Sequence, residues 1–165
     1  MIMRLLSNDR GGQVFLAVLA LAYATQNLVN LDQALGAVAY VLGRVDHAVY
    51  PNSFLPAIDH PVAIGAALGL IIALEYLTGF LLLKGSWDLW RARREGAMAF
   101  DRAKKATLVG AGVGMLVWFG LFHTLGGAVF QQWQTPAGDG SLTGAFWYGA
   151  MMALIALYIS LTPDE

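Results

Sequence analysis

The sequence predicts an all-α protein: a four-helix transmembrane bundle with an extracytoplasmic amphipathic helix between helices 1 and 2. Three observations predict it. Four apolar stretches approach the ~20 helical residues that a bilayer core of about 30 Å demands. Charged residues make up only 13% of the chain against 58% apolar, where a soluble domain carries about 25% charge. The 10 Lys and Arg residues gather on alternate connecting segments, the pattern that orients a multi-pass protein. A length of 165 residues fits one integral membrane domain, residues 1–165.

The first apolar run covers roughly residues 13–31, Gln13 to Leu31. Its outer third carries Thr25, Gln26, Asn27 and Asn30 and is the most polar part of any span. The same run offers a signal-peptide reading, with Arg4 as the charged start, Val14–Ala22 as the apolar core and Ala22-Tyr23-Ala24 as an A-x-A site. Asp9 and Arg10 just before the core fit that reading less well, and a retained helix is expected. The second run covers about residues 61–83, with Pro61 suited to a first helical turn. The third covers about 106–130. The fourth covers about 143–162, holds no charged residue and is stopped by Pro163.

Arg4 and Arg10 precede the first span, and Lys84, Arg91, Arg93, Arg94, Arg102, Lys104 and Lys105 lie between the second and third. Arg44 alone lies between the first and second, and no Lys or Arg follows the third. Positive segments stay cytoplasmic. The expected location is therefore a bacterial inner membrane with both termini, including Pro163-Asp164-Glu165, in the cytoplasm.

In the outer segment 32–60 and the residue before it, Leu31, Leu35, Val38, Leu42 and Val45 recur at helical spacing, opposite Asp32, Gln33, Gly36 and Gly43. An amphipathic helix lying on the outer surface is expected, then an irregular link at Pro51-Asn52-Ser53-Phe54-Leu55-Pro56. It would serve as a lid on the bundle or as a docking surface for a partner. The cytoplasmic segment 84–105 is basic and reads as helical. Trp87 and Trp90 stand at the belt position, and its charge attracts anionic lipid. Trp133 is expected to anchor at the opposite interface, and Pro136-Ala137-Gly138-Asp139-Gly140 reads as a turn.

Few residues could carry chemistry. Glu75 is the one acidic residue well inside a span. A charge there costs at least ~2.5 kcal/mol, so the carboxyl is expected to be protonated or paired with a donor. Tyr23 and Tyr158 are the expected hydrogen-bond partners, and no Lys or Arg lies within a span. His123, in the outer half of the third span, is a candidate ligand for haem or a pigment metal. Gln26, Asn27 and Asn30 share its depth, and a structural polar cluster is the plainer expectation. Gly65/Gly69 and Gly110/Gly114 form G-x-x-x-G pairs expected to serve helix packing, within the chain or against a neighbour. Asp46-His47 and Asp59-His60 read as solvated loop pairs.

With no cysteine there is no disulfide, thiolate site or cysteine nucleophile. No phosphate loop, dinucleotide fingerprint, H-E-x-x-H or Ser/His/Asp set occurs. The formal net charge of −1 gives no field for nucleic acid. No catalytic residue, metal site or cofactor is expected beyond the His123 possibility. The expected partners are membrane lipids and other integral membrane subunits.

One further pattern runs from Asn27 onward. It comprises Val41-Leu42 with Asp46, Pro61, Glu75, Gly85 with Leu89, and Phe100-Asp101-Arg102-Ala103-Lys104. It continues through Trp118, Phe122, Gly126-Gly127 and Trp133-Gln134. As a set these residues resemble a bacterial family of predicted small integral membrane proteins, a domain of unknown function. The chain has Ala128 where that family usually carries an acid, and Gly138-Asp139-Gly140 in place of its usual Trp-Asn-Gly-Gln stretch. The resemblance implies four spans and supplies no catalytic residue. The leading expectation is a non-catalytic accessory or structural subunit of a larger membrane complex, respiratory or photosynthetic. A small transporter or proton-linked protein centred on Glu75, and a haem- or pigment-binding subunit using His123, are the alternatives.

Overall fold

A computed structural model describes residues 11–161; Arg4, Arg10, Thr162 and Pro163-Asp164-Glu165 lie outside the described residues. The helices, in chain order, are α1 (Gly11–Val29), α2 (Leu31–Leu42), α3 (Pro61–Ala92), α4 (Ala97–Met115) and α5 (Pro136–Leu161). α4 runs on without a break into a π-helical segment (Leu116–Val129), and a short 3-10 turn (Gln132–Gln134) leads into α5. No strand occurs among the described residues. Four helices, α1, α3, α4 with its π segment, and α5, are long and apolar enough to cross a membrane.

The helices outrun the apolar stretches. α3 continues through the basic region to Ala92, and after a turn α4 starts at Ala97. Lys84 pairs with Asp88 one helical turn on, which supports helix through the charged stretch. Trp87 stacks on Trp90 at 5.1 Å, and the Arg93 guanidinium sits 4.1 Å over the Trp90 ring. This basic end of the bundle lies opposite a loop end built from residues 43–60 and 130–135.

α5 begins at Pro136, so the turn expected at 136–140 is instead the first turn of a helix. Thr135 explains the difference. Its hydroxyl accepts from the Gly138 amide at 3.1 Å, capping the helix, while Pro136 takes the first helical position. Asp139 adds an acid in the first turn, where the helix dipole favours one.

Segment 32–60 is helical only as far as Leu42, with residues 43–60 irregular. Gly43 closes α2, and Arg44 and Asp46 then adopt left-handed backbone angles that a helix cannot continue. α2 follows α1 after a single residue, Asn30, and none of its residues is fully buried. Ala34, Leu35 and Val38 lean on Ala24, Leu68 and Ile72. His60, expected to be a plain loop residue, caps α3: its Nδ1 accepts from the Val62 amide at 3.3 Å.

α3 is the hub, with α1 on one side and α4 on the other. Ala17, Ala20 and Ala24 of α1 are completely buried, so α1 is an integral wall of the bundle. Four glycines set the spacing. A Cβ on Gly79 would lie 2.6 Å from Leu21 Cδ2, and one on Gly85 would lie 2.6 Å from the Thr107 amide nitrogen. One on Gly110 would lie 2.9 Å from Leu81 Cβ, and one on Gly114 3.0 Å from Met152 Cγ. In lipid, where helix association rests on close van der Waals contact, such approaches hold the helices together. A Cβ on Gly65 or Gly69 would meet nothing within 4 Å. Of the two expected glycine pairs, then, Gly110/Gly114 packs within the chain and Gly65/Gly69 faces outward.

Candidate functional site: a carboxyl-lined cavity in the loop half of the bundle

Towards the loop end the helices part. Between α1, α2, α3, the π segment and α5 lies a cavity of about 500 Å³. α2 supplies Ala34, Ala37, Val38, Val41 and Leu42, α3 supplies Ala67, Leu68, Leu70, Ile71 and Glu75, and the π segment supplies Trp118, Leu121, Phe122, Leu125 and Gly126. Among the described residues, the polar side chains on its walls are Tyr23, Asn27, Glu75, Gln132, Ser141 and Tyr148, and no Lys, Arg or His lines it.

Glu75 is only 2% exposed. Its Oε2 accepts a hydrogen bond from Asn27 Nδ2 at 3.1 Å, so the donor found is an amide where a tyrosine was expected. Tyr23 instead pairs its hydroxyl with that of Tyr148 across the bundle, their ring centroids 5.0 Å apart. The geometry follows from helix register. Asn27 lies on the last turns of α1, beside the mid-length of the antiparallel α3, and one turn back Tyr23 points towards α5. Trp118, 2% exposed, meets Tyr148 edge-on at 5.7 Å and forms an aromatic wall.

The expected polar cluster is split. Asn27 joins Glu75, whereas Gln26 is exposed and accepts from Asn30 Nδ2 at 3.2 Å. His123 sits outside the cavity lining, flanked by Phe119 at 5.8 Å and Phe146 at 6.2 Å, and its buried Nε2 has no hydrogen-bond partner. His47 and His60 lie in the 43–60 loop and not in a span. Among the described residues no three His, Asp or Glu side chains are grouped to hold a metal.

The π segment ends where Phe130 N–H donates to Leu125 O at 2.8 Å, five residues back. Gln131 then takes a left-handed conformation, φ 57°, and reverses the chain. Its side chain is held from two sides: Oε1 accepts from Gln134 Nε2 at 2.8 Å and from Arg44 at 3.3 Å. Arg44 also donates to the carbonyls of Tyr50 and Pro51, both at 3.2 Å, and Tyr50 N–H donates to Gln134 Oε1 at 2.7 Å. These bonds strap the 43–60 loop across the cavity end of the bundle. In the same loop His47 is held below its ordinary value of 6.5, by burial first and by the Arg44 charge second.

Tyr148, Gln132 and the Arg44–Gln131–Gln134 strap were not singled out in the sequence. A signal existed for Tyr148, a polar-tipped aromatic within the fourth apolar run near the depth of Tyr23. Gln132 is 4% exposed and packs beneath Gly126 and Gly138, a burial that nothing in its neighbours announces.

Neither a curated protein nor a solved structure matches the chain. Residues 12–162 match the family described as predicted small integral membrane protein, DUF2165. Since that match takes in almost the whole chain, including every helix lining the cavity, the protein belongs to this family of small integral membrane proteins.

Proposed function

We propose that this chain is a non-catalytic membrane protein that binds a small, mostly apolar molecule in its cavity, with Glu75 as the polar anchor. The observation that carries this reading is the buried Glu75 carboxyl on the wall of a space of about 500 Å³. That volume falls within the ~300–1,000 Å³ of small-molecule sites, which are also mostly apolar with a few convergent polar groups. A carboxyl within a span is costly and marks a ligand or ion path by default. One carboxyl can hold a proton or a ligand's donor group in turn, so proton-linked transport is the activity this site would serve. The proposed setting is a bacterial inner membrane with the basic end cytoplasmic, surrounding lipid as the constant partner, and no resident cofactor.

The test is mass spectrometry of small molecules released from protein purified in mild detergent, wild type beside Leu121→Trp, which fills the cavity. The expected result is a small amphiphile near one per chain in the wild type, lost in the variant. Equal content in both would refute the reading.

A second reading, an accessory or structural subunit of a larger respiratory or photosynthetic membrane complex, draws on a separate observation. The Gly65/Gly69 face of α3 has open space where a Cβ would project, room for a helix of another protein to approach closely. Stoichiometric co-purification with a large complex, lost in Gly69→Leu, is the result this reading requires. A lone wild-type monomer would remove it.

A further inference from the structure

We propose that the cavity's ligand is a lipophilic organic monocation, an ammonium whose N–H groups are accepted by Glu75 and whose apolar body lies against Trp118, Phe122 and Tyr148. This rests on the cavity-binding reading above and adds the ligand's charge and chemical class.

The argument starts from unused hydrogen-bond capacity. Oε2 of Glu75 accepts from Asn27, while Oε1 accepts from no described residue. Among the described residues the cavity lining contains no Lys, Arg or His. The titratable groups facing Glu75 from its neighbours are Tyr23 on α1 and Tyr148 on α5, whereas α2 and the π segment present none to the cavity. Those two hydroxyls bond to each other, so one of their two donors is already engaged. A ligand entering this space therefore meets an acceptor-rich, cation-free pole in an apolar room.

Charge and shape then select the class. A single carboxylate matches a single positive charge; a dication would leave one charge unpaired in apolar surroundings, and an anion would be repelled. A bare metal ion finds no cluster of ligands among the described residues and would leave most of the volume unfilled. Aromatic rings attract an organic cation at close range, and Trp118, Phe122 and Tyr148 line the same cavity as Glu75. An N⁺–H···O⁻ contact is roughly twice as strong as its neutral counterpart. The same space is thus predicted to prefer an amine over an isosteric alcohol.

The experiment is equilibrium dialysis of the purified full chain in mild detergent at neutral pH. The probes are naphthylethylamine and its uncharged isostere naphthylethanol, each measured against the Leu121→Trp background. The wild type is expected to hold the amine about tenfold more tightly than the alcohol. Glu75→Gln is expected to remove the preference, bringing the amine down to the level of the alcohol measured in the same variant. Equal wild-type affinity for the two probes overturns the cationic assignment while leaving the cavity reading standing, and it requires no variant to fold. An amine preference that survives in Glu75→Gln also overturns it. If neither probe exceeds the filled-cavity background, both readings fall.

Discussion

The two halves of this bundle are built on opposite rules. Towards the basic end, Gly79, Gly85, Gly110 and Gly114 let α1, α3, α4 and α5 close until a Cβ at any of the four would press on a neighbouring helix. Towards the loop end, the α3 glycines Gly65 and Gly69 face outward, and α2 and the π segment border a half-open cavity. The contrast teaches where small residues matter. A glycine directed at a neighbouring helix removes space, and the same residue turned one face away leaves the interior to be filled by something else.

The largest effect that would break this comparison is Gly85→Leu, whose side chain would have to displace the Thr107 backbone. Overpacking of this kind should cost about 3 kcal/mol or more, seen as loss of a monodisperse peak after mild heating in detergent. Asn27→Leu removes the donor from a buried carboxyl and should cost about 2 kcal/mol, read as a lower thermal midpoint. A midpoint equal to the wild type would mean that Glu75 needs no partner. Arg44→Ala cuts the strap between the 43–60 loop and Gln131 and should cost about 1 kcal/mol. Protease cleavage confined to that loop should also rise. Gly65→Ala, on the outward face, should stay within about 0.5 kcal/mol, and a large loss there would show that the contrast between the halves is wrong.

The smallest effect concerns pH. The folded chain holds His47 below 6.5, so protonation favours the unfolded state. The His47 contribution is full above its ordinary value and is lost as the pH falls below it. Stability measured on descending through that range should decline slightly more in the wild type than in His47→Gln. A steeper decline in the variant would reverse the sign.

Much of the fold was legible because bilayer thickness is a strict filter. Four long runs without Lys or Arg have few soluble alternatives. Glu75 and Asn27 were also visible one at a time, as polar residues in an apolar stretch, and the resemblance through Trp118 and Gly126-Gly127 agrees with the family match. Their pairing was not visible, because hydrogen-bond partners depend on helix rotation and not on depth alone. Tyr23, at a suitable depth for Glu75, turned to Tyr148 instead. The start of α5 was misread because Gly138-Asp139-Gly140 has the composition of a turn, although Thr135-Pro136 is itself a helix-start signal. The cavity was illegible for a different reason. It is bounded by where α2 stops and by the π register of residues 116–129, and apolar spacing does not distinguish an α register from a π one.

Among the described helices α2 alone has no buried residue, and it is tethered at both ends, through Asn30 to α1 and by Ile58 N–H donating to Leu42 O at 2.9 Å. Segments of that kind open locally at far less free energy than a whole-domain unfolding event. Amide protons of residues 34–42 should therefore exchange with deuterated solvent well before those of residues 72–82 in α3. An occupant lodged beneath them would slow that exchange in this stretch alone, giving a footprint of ligand without any label on the ligand itself.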